Sequence, residues 1–105
     1  MKVALYARVS SDRQDVDLSI TAQLKALREY ALRNGHTVVK EYIDEAESGR
    51  SMDRQGFQNM IATARQKDTP FEAILVWKLS RFARNREDSI IYKSLLRKHG
   101  VQVIS

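Results

Sequence analysis

Cysteine is absent from the 105 residues, and the chain has only one Pro and four Gly. Without cysteine there can be no disulfide, no thiolate metal site and no thiol nucleophile, which favours a cytoplasmic protein. No apolar run approaches the ~20 residues of a membrane-spanning helix, and the N-terminus opens in a strand-like pattern instead of a signal peptide. These absences exclude a disulfide scaffold and a protein inserted in a membrane.

The composition is that of one folded, basic domain covering residues 1–105. Hydrophobic residues make up 43% and charged residues 30%, which is enough apolar surface for a core. Lys and Arg number 18 against 13 Asp and Glu, a formal net charge of +5. This excess indicates an anionic partner, since basic side chains displace the counterions of a polyphosphate on binding.

Apolar periodicity predicts strands alternating with helices. Strand patterns occupy residues 2–8, 37–43, 73–77 and 101–105. Helices are expected to be capped by Ser19, Asp53 and Asn85, and to end near Gly35, Pro70 and Gly100. Strictly alternating elements predict an α/β fold, a mainly parallel sheet of about four strands with helices on both faces.

Three polar loops follow the first three predicted strands, and each places arginine near serine. The pairs are Arg8 with Ser10, Arg50 and Arg54 with Ser51, and Arg81 and Arg84 with Ser80. Loops at the carboxyl ends of parallel strands share one edge of the sheet. Arginine forks match phosphate oxygens, and a serine among them can attack phosphorus. Strand alternation lets Tyr6, Arg8 and Ser10 share a face if the extended geometry continues to Ser10.

The stretches YARVSSDRQ (6–14), DEAESGRSMDRQGF (44–57) and VWKLSRFARN (76–85) resemble the catalytic domain of the serine recombinases, the resolvase/invertase family. The resemblance implies that Ser10 attacks a DNA phosphodiester, forming a 5′-phosphoserine and releasing a 3′-hydroxyl, without ATP, metal or cofactor. It implies phosphate contacts from Arg8, Arg54, Arg81 and Arg84. It implies supporting roles for Tyr6, Gln14, Gln23, Asp44, Ser48 and Ser80.

Ser80 stands where resolvases and invertases typically have aspartate, as in many large serine recombinases, which favours a phage-integrase or transposase relative. The family continues beyond this length with more sheet, a long helix for subunit contacts and DNA-binding domains. We therefore expect a C-terminally truncated domain, inactive alone in complete recombination. The implied partner is double-stranded DNA, bound by a homodimer that assembles to a tetramer, in a bacterial or phage-encoded system.

Plainer interpretations exist for the same residues. The chain could be a non-catalytic basic α/β module that binds nucleic acid, with Ser10 a turn residue and Arg81 and Arg84 on a solvated face. Asp44 could cap or turn the chain after its strand. A small-molecule phosphate site is less favoured, because no Walker or dinucleotide glycine motif is present. Trp77 and Phe82 could stack on bases, but the apolar pattern favours core positions.

Overall fold

The computed structural model describes residues 1–9, 19–45, 54–78, 82 and 86–105. Its elements are β1 (Lys2–Val9), α1 (Ile20–Arg33), β2 (Thr37–Glu45), α2 (Gln55–Ala64), β3 (Ala73–Val76), α3 (Arg86–Lys98) and β4 (Gln102–Ile104). The strands form one parallel sheet in the order β2-β1-β3-β4. The predicted α/β fold is confirmed, and β1 lies between two neighbours with its carboxyl end at the centre of one sheet edge.

One face of the sheet is covered by α1. Leu24, Leu27 and Ala31 are buried there against the odd-numbered residues of β1. The predicted ends of this helix are confirmed: the Ser19 hydroxyl accepts a hydrogen bond from the Ala22 amide at 3.2 Å, and Gly35 adopts φ +73° after the last turn. Only glycine takes that left-handed conformation without steric cost.

The opposite face is covered by α2 and α3. Tyr6 packs there with Phe57 and Met60 of α2 and Leu96 of α3. Glu87 and Asp88 lie in the first turn of α3, as expected for acids near the positive end of a helix dipole. The expected cap, Asn85, lies outside the described residues. Within the part of the chain that the structure describes, no helix is long and apolar enough to cross a membrane.

Three sequence predictions are wrong at element boundaries. The helix expected to end near Pro70 ends at Ala64, with Arg65 as its C-cap. Asp53 is not the N-cap of α2: the cap position is Arg54, whose side chain makes no capping bond. Trp77 is not a buried strand residue, because β3 ends at Val76 and Trp77 is only half-buried. The pairing of β1 with β3 ends at Tyr6 opposite Val76, so Trp77 lies beyond the ladder. Phe82, in contrast, is fully buried, as predicted.

An irregularity in β2 decides which face its last residues occupy. The register with β1 shifts between Val3 and Ala4, so one extra residue of β2 is accommodated there. The extra residue is Val39, which has no partner in β1. Val39 and Tyr42 both pack on the α2 side of the sheet, although three positions separate them. Because a shift of one residue exchanges the two faces of a strand, Asp44 comes to lie on the α2 side, opposite Arg8.

Candidate active site

The carboxyl end of β1 is held by a glutamine from α1. Gln23 is completely buried, its Oε1 accepts from the Arg8 amide at 3.3 Å, and its Nε2 donates to the Arg8 carbonyl at 3.1 Å. The side-chain amide therefore forms hydrogen bonds with both backbone groups of Arg8, at a position where β1 is no longer paired with β3. A buried amide with both ends bonded fixes the strand that leads directly to Ser10.

Asp44 caps α2 from the end of β2. Its Oδ1 accepts from the Gly56 amide at 2.7 Å, and its Oδ2 accepts from the Phe57 amide at 2.8 Å and the Tyr6 hydroxyl at 2.6 Å. The residue is 5% exposed. The carboxylate satisfies amides of the first helical turn and places negative charge at the positive end of the helix dipole. Asp44, from another element, therefore has the capping role that the sequence predicts for Asp53.

Gly56 lies at a close approach of α2 to β2. A Cβ added at this position would lie 2.6 Å from the Ile43 carbonyl oxygen and 3.0 Å from Asp44 Oδ1. The first of these atoms belongs to the backbone of a paired strand and cannot move aside cheaply. The absence of a side chain is therefore what lets the amide of residue 56 reach the Asp44 carboxylate.

We expect Gly56→Ala to destabilise the protein although alanine is the better helix former. Helix propensity alone would stabilise the folded protein by about 1 kcal/mol. The clash of the new methyl group with the Ile43 carbonyl should cost about 1–3 kcal/mol and also displace the Asp44 cap. Urea denaturation should show a net loss, whereas Ser94→Ala, on the exposed side of α3, should show none. A more stable Gly56→Ala protein would contradict the close approach.

Arg54 lies inside the protein next to this cap. It is 7% exposed, and its Nη2 donates to the Phe82 carbonyl oxygen and, at 3.5 Å, to the Tyr6 hydroxyl. Its guanidinium carbon lies 3.9 Å from the centre of the Phe57 ring, a cation–π arrangement. The Tyr6 hydroxyl thus donates to Asp44 and accepts from Arg54, so the two opposite charges are joined through one phenol.

The pKa of Tyr6 is raised well above its usual value, first by burial and then by the hydrogen bond to Asp44, with Arg54 acting in the opposite direction. Because the folded state holds this proton more tightly than the unfolded chain, the unfolded chain ionises first as the pH rises past about 10. The stability that depends on the neutral phenol is therefore fully present below that pH and is lost above it.

We expect the wild-type protein to lose stability above about pH 10 more steeply than Tyr6→Phe, by up to about 1.4 kcal/mol for each pH unit. Tyr6→Phe removes the titrating group and leaves the other residues that ionise there. Urea denaturation of both proteins between about pH 9 and about pH 11 measures the difference in slope. Parallel pH profiles would show that the phenol is not held neutral by folding.

The structure brings together every predicted site residue that it describes. Arg8 pairs with Asp44 across the sheet and is bonded to Gln23, while Tyr6 joins Asp44 to Arg54. The other predicted residues lie outside the described part of the chain: Ser10, Gln14, Ser48, Ser80, Arg81 and Arg84.

Sequence reasoning missed the contributions of Gly56, of the Phe57 ring and of the Phe82 carbonyl. One signal was available for Gly56. Glycine is a poor choice for the first turn of a helix, and its presence there marks a close approach of backbone. Nothing in the sequence marks a carbonyl acceptor at Phe82.

Comparison with known proteins identifies the family of this chain. The family described as "Resolvase, N terminal domain" matches residues 3–105. The chain belongs to the resolvase family. It is 35% identical over 101 residues to the transposon Tn552 resolvase of Staphylococcus aureus, covering 96% of this chain and 43% of that protein.

Solved serine recombinase domains share the fold of this resolvase-family chain. A resolvase family site-specific recombinase from Streptococcus pneumoniae aligns with a TM-score of 0.87 and 35% identity, over 99% of this chain and 70% of the other. The N-terminal catalytic domain of TP901-1 integrase aligns with a TM-score of 0.83 and 32% identity, over 100% and 76%. The predicted serine recombinase family is confirmed. The chain spans less than half of the Tn552 resolvase, and its truncation stays a prediction.

Proposed function

We propose that this chain is the catalytic domain of a site-specific DNA recombinase that cuts and rejoins double-stranded DNA through Ser10. The Ser10 oxygen bonds to phosphorus of the DNA backbone, and the bond from phosphorus to the 3′-oxygen breaks. The serine hydroxyl loses its proton and the released 3′-oxygen gains one. Each cleavage exchanges one phosphate ester for another, so rejoining by a 3′-hydroxyl needs neither ATP nor a catalytic metal.

The observation that carries the proposal is the convergence of Tyr6, Arg8, Asp44 and Arg54 at the carboxyl end of β1, which directly precedes Ser10 in the sequence. These groups come from three separate elements, and the resemblance had assigned them to one site. A buried, fully bonded carboxylate and glutamine give that strand end a fixed position. Fixed geometry around a nucleophile is what transition-state stabilisation requires.

Arg8, Arg81 and Arg84 are the proposed phosphate contacts. Guanidinium groups would stabilise the extra negative charge on the five-coordinate phosphorus and favour the serine alkoxide. Gln14, Ser48 and Ser80 complete the proposed surroundings of the site. The formal net charge of +5 suits a DNA partner. In the full protein, a homodimer assembling to a tetramer on DNA would hold the strands to be exchanged.

Trapping of a covalent protein–DNA adduct tests the proposal. Random duplexes are enriched by binding to the full protein, and the enriched sequence is remade with a nick beside the cleavage point, so that the released strand end diffuses away and rejoining is prevented. We expect a denaturant-resistant adduct whose DNA is attached at the 5′ phosphate. Digestion and mass spectrometry should place the phosphodiester on the peptide that contains Ser10.

Binding without any adduct would overturn the recombinase assignment and favour the non-catalytic nucleic-acid module. An adduct that required added Mg²⁺, or one mapped to a residue other than Ser10, would overturn the mechanism while leaving the family membership unchanged. Loss of DNA binding at moderate salt would remove the proposed substrate itself.

A further inference from the structure

Arg54 has an unfavourable setting for a charged residue. It is the one non-glycine residue with positive φ among those described, at φ 55° and ψ 44°. Its Nε is buried without a hydrogen-bond partner in the described part of the chain. A left-handed backbone and an unpaired buried donor both cost stability. Strained residues are concentrated at functional sites, where the surrounding structure holds them in place.

The bonds that Arg54 does make join two segments that are distant in sequence. Its Nη2 reaches the hydroxyl of Tyr6, which lies on β1 four positions before Ser10, and the carbonyl of Phe82, which follows Arg81 directly. The Phe57 ring lies under the guanidinium and contacts the Phe82 ring edge-to-face, with ring centres 5.3 Å apart. One buried side chain therefore links the nucleophile's strand to the arginine-bearing segment.

We propose that Arg54 is a positioning residue, which holds the chain at Phe82 against the end of β1 from inside the protein and does not itself contact the DNA phosphate. The inference rests on the proposed function, and it replaces the direct phosphate contact that the family resemblance implies for this arginine. Arg81 and Arg84 flank Phe82, so tethering the carbonyl between them would set both guanidinium groups relative to Ser10.

The salt dependence of DNA binding separates an inward role from a phosphate contact. Each arginine that neutralises a phosphate contributes about 0.9 to the slope of log K against log salt concentration. With the enriched duplex, Arg54→Gln should keep the wild-type slope, whereas Arg81→Gln should lower it by about 0.9. Arg65→Gln is the matched control, because it removes the same charge from an exposed position at the other end of α2.

Single-turnover kinetics on the nicked duplex separate positioning from a merely structural role. At saturating DNA, Arg54→Gln should lower the rate constant of adduct formation by about 10²-fold, as small misplacements of reacting groups do, while the final yield stays near wild type. A protein that had only lost folded molecules would show a lower yield and an unchanged rate constant. Arg54→Lys, which keeps the charge and has its donors on a single nitrogen, should recover part of the rate.

The outcomes distinguish this inference from the proposed function. If the wild type forms the adduct and Arg54→Gln forms it equally fast, or if Arg54→Gln lowers the salt slope, the positioning role is wrong and the recombinase assignment stands. If the wild type forms no adduct, NMR of the DNA-free chain decides: the Phe82 carbonyl and Tyr6 ring resonances should move in Arg54→Gln but not in Arg65→Gln. Unchanged resonances overturn the tether.

Discussion

Replacement of Ser10 by alanine should abolish the covalent protein–DNA adduct. The substitution removes the atom that is proposed to bond to phosphorus and leaves every proposed phosphate-binding arginine in place. Loss of an enzyme's nucleophile lowers the rate on the order of 10⁴-fold or more, which in the nicked-duplex assay means no detectable adduct. DNA affinity should stay within about two-fold of wild type, because phosphate contacts and not the hydroxyl supply the binding energy.

Ser11→Ala provides the control closest to Ser10. It makes the same chemical change one position further along the chain, and the family resemblance assigns the nucleophile to Ser10, not to Ser11. We expect Ser11→Ala to form the adduct at nearly the wild-type rate. Adduct that persists in Ser10→Ala and disappears in Ser11→Ala would move the nucleophile by one residue. Adduct in the double variant Ser10→Ala/Ser11→Ala would exclude both serines.

The fold could be predicted from the sequence because its signals are local. The apolar stripe of α1 lies between a capping serine and a left-handed glycine, and both ends are confirmed. The unbroken apolar run of β3 likewise indicated a strand covered on two faces. In each case the residues that decide the element are its own or its immediate neighbours.

The start of α2 could not be predicted in the same way, because its cap comes from another element. A search among adjacent residues finds Asp53, but the amides of the first turn bond to Asp44, which reaches them only through the shifted register of β2. The same limit applies to Arg54. Sequence shows an arginine near serines, but whether the guanidinium faces an anion or a backbone carbonyl depends on packing against Phe57 and Phe82.

Asp44→Ala should be the most destabilising of the substitutions considered, by about 3–5 kcal/mol. Loss of a helix cap costs about 0.5–2 kcal/mol, and each buried donor left without a partner costs about 1–3 kcal/mol. The change leaves unpaired the amides of Gly56 and Phe57 and the hydroxyl of Tyr6. In a domain of this size the melting temperature should fall by roughly 15–30 °C.

Urea denaturation of Asp44→Ala, Asp44→Asn and Glu45→Ala tests this prediction. Asparagine can present its carbonyl oxygen to the Phe57 amide and the Tyr6 hydroxyl, but its NH₂ group then faces the Gly56 amide, donor against donor. Asp44→Asn should therefore lie between alanine and wild type. Glu45→Ala removes an exposed acid from the next position and should change stability by no more than about 0.5 kcal/mol. If all three variants unfolded at the same urea concentration as the wild type, the carboxylate would not be the cap of α2, and Gln23 alone would be left to fix the end of β1 before Ser10.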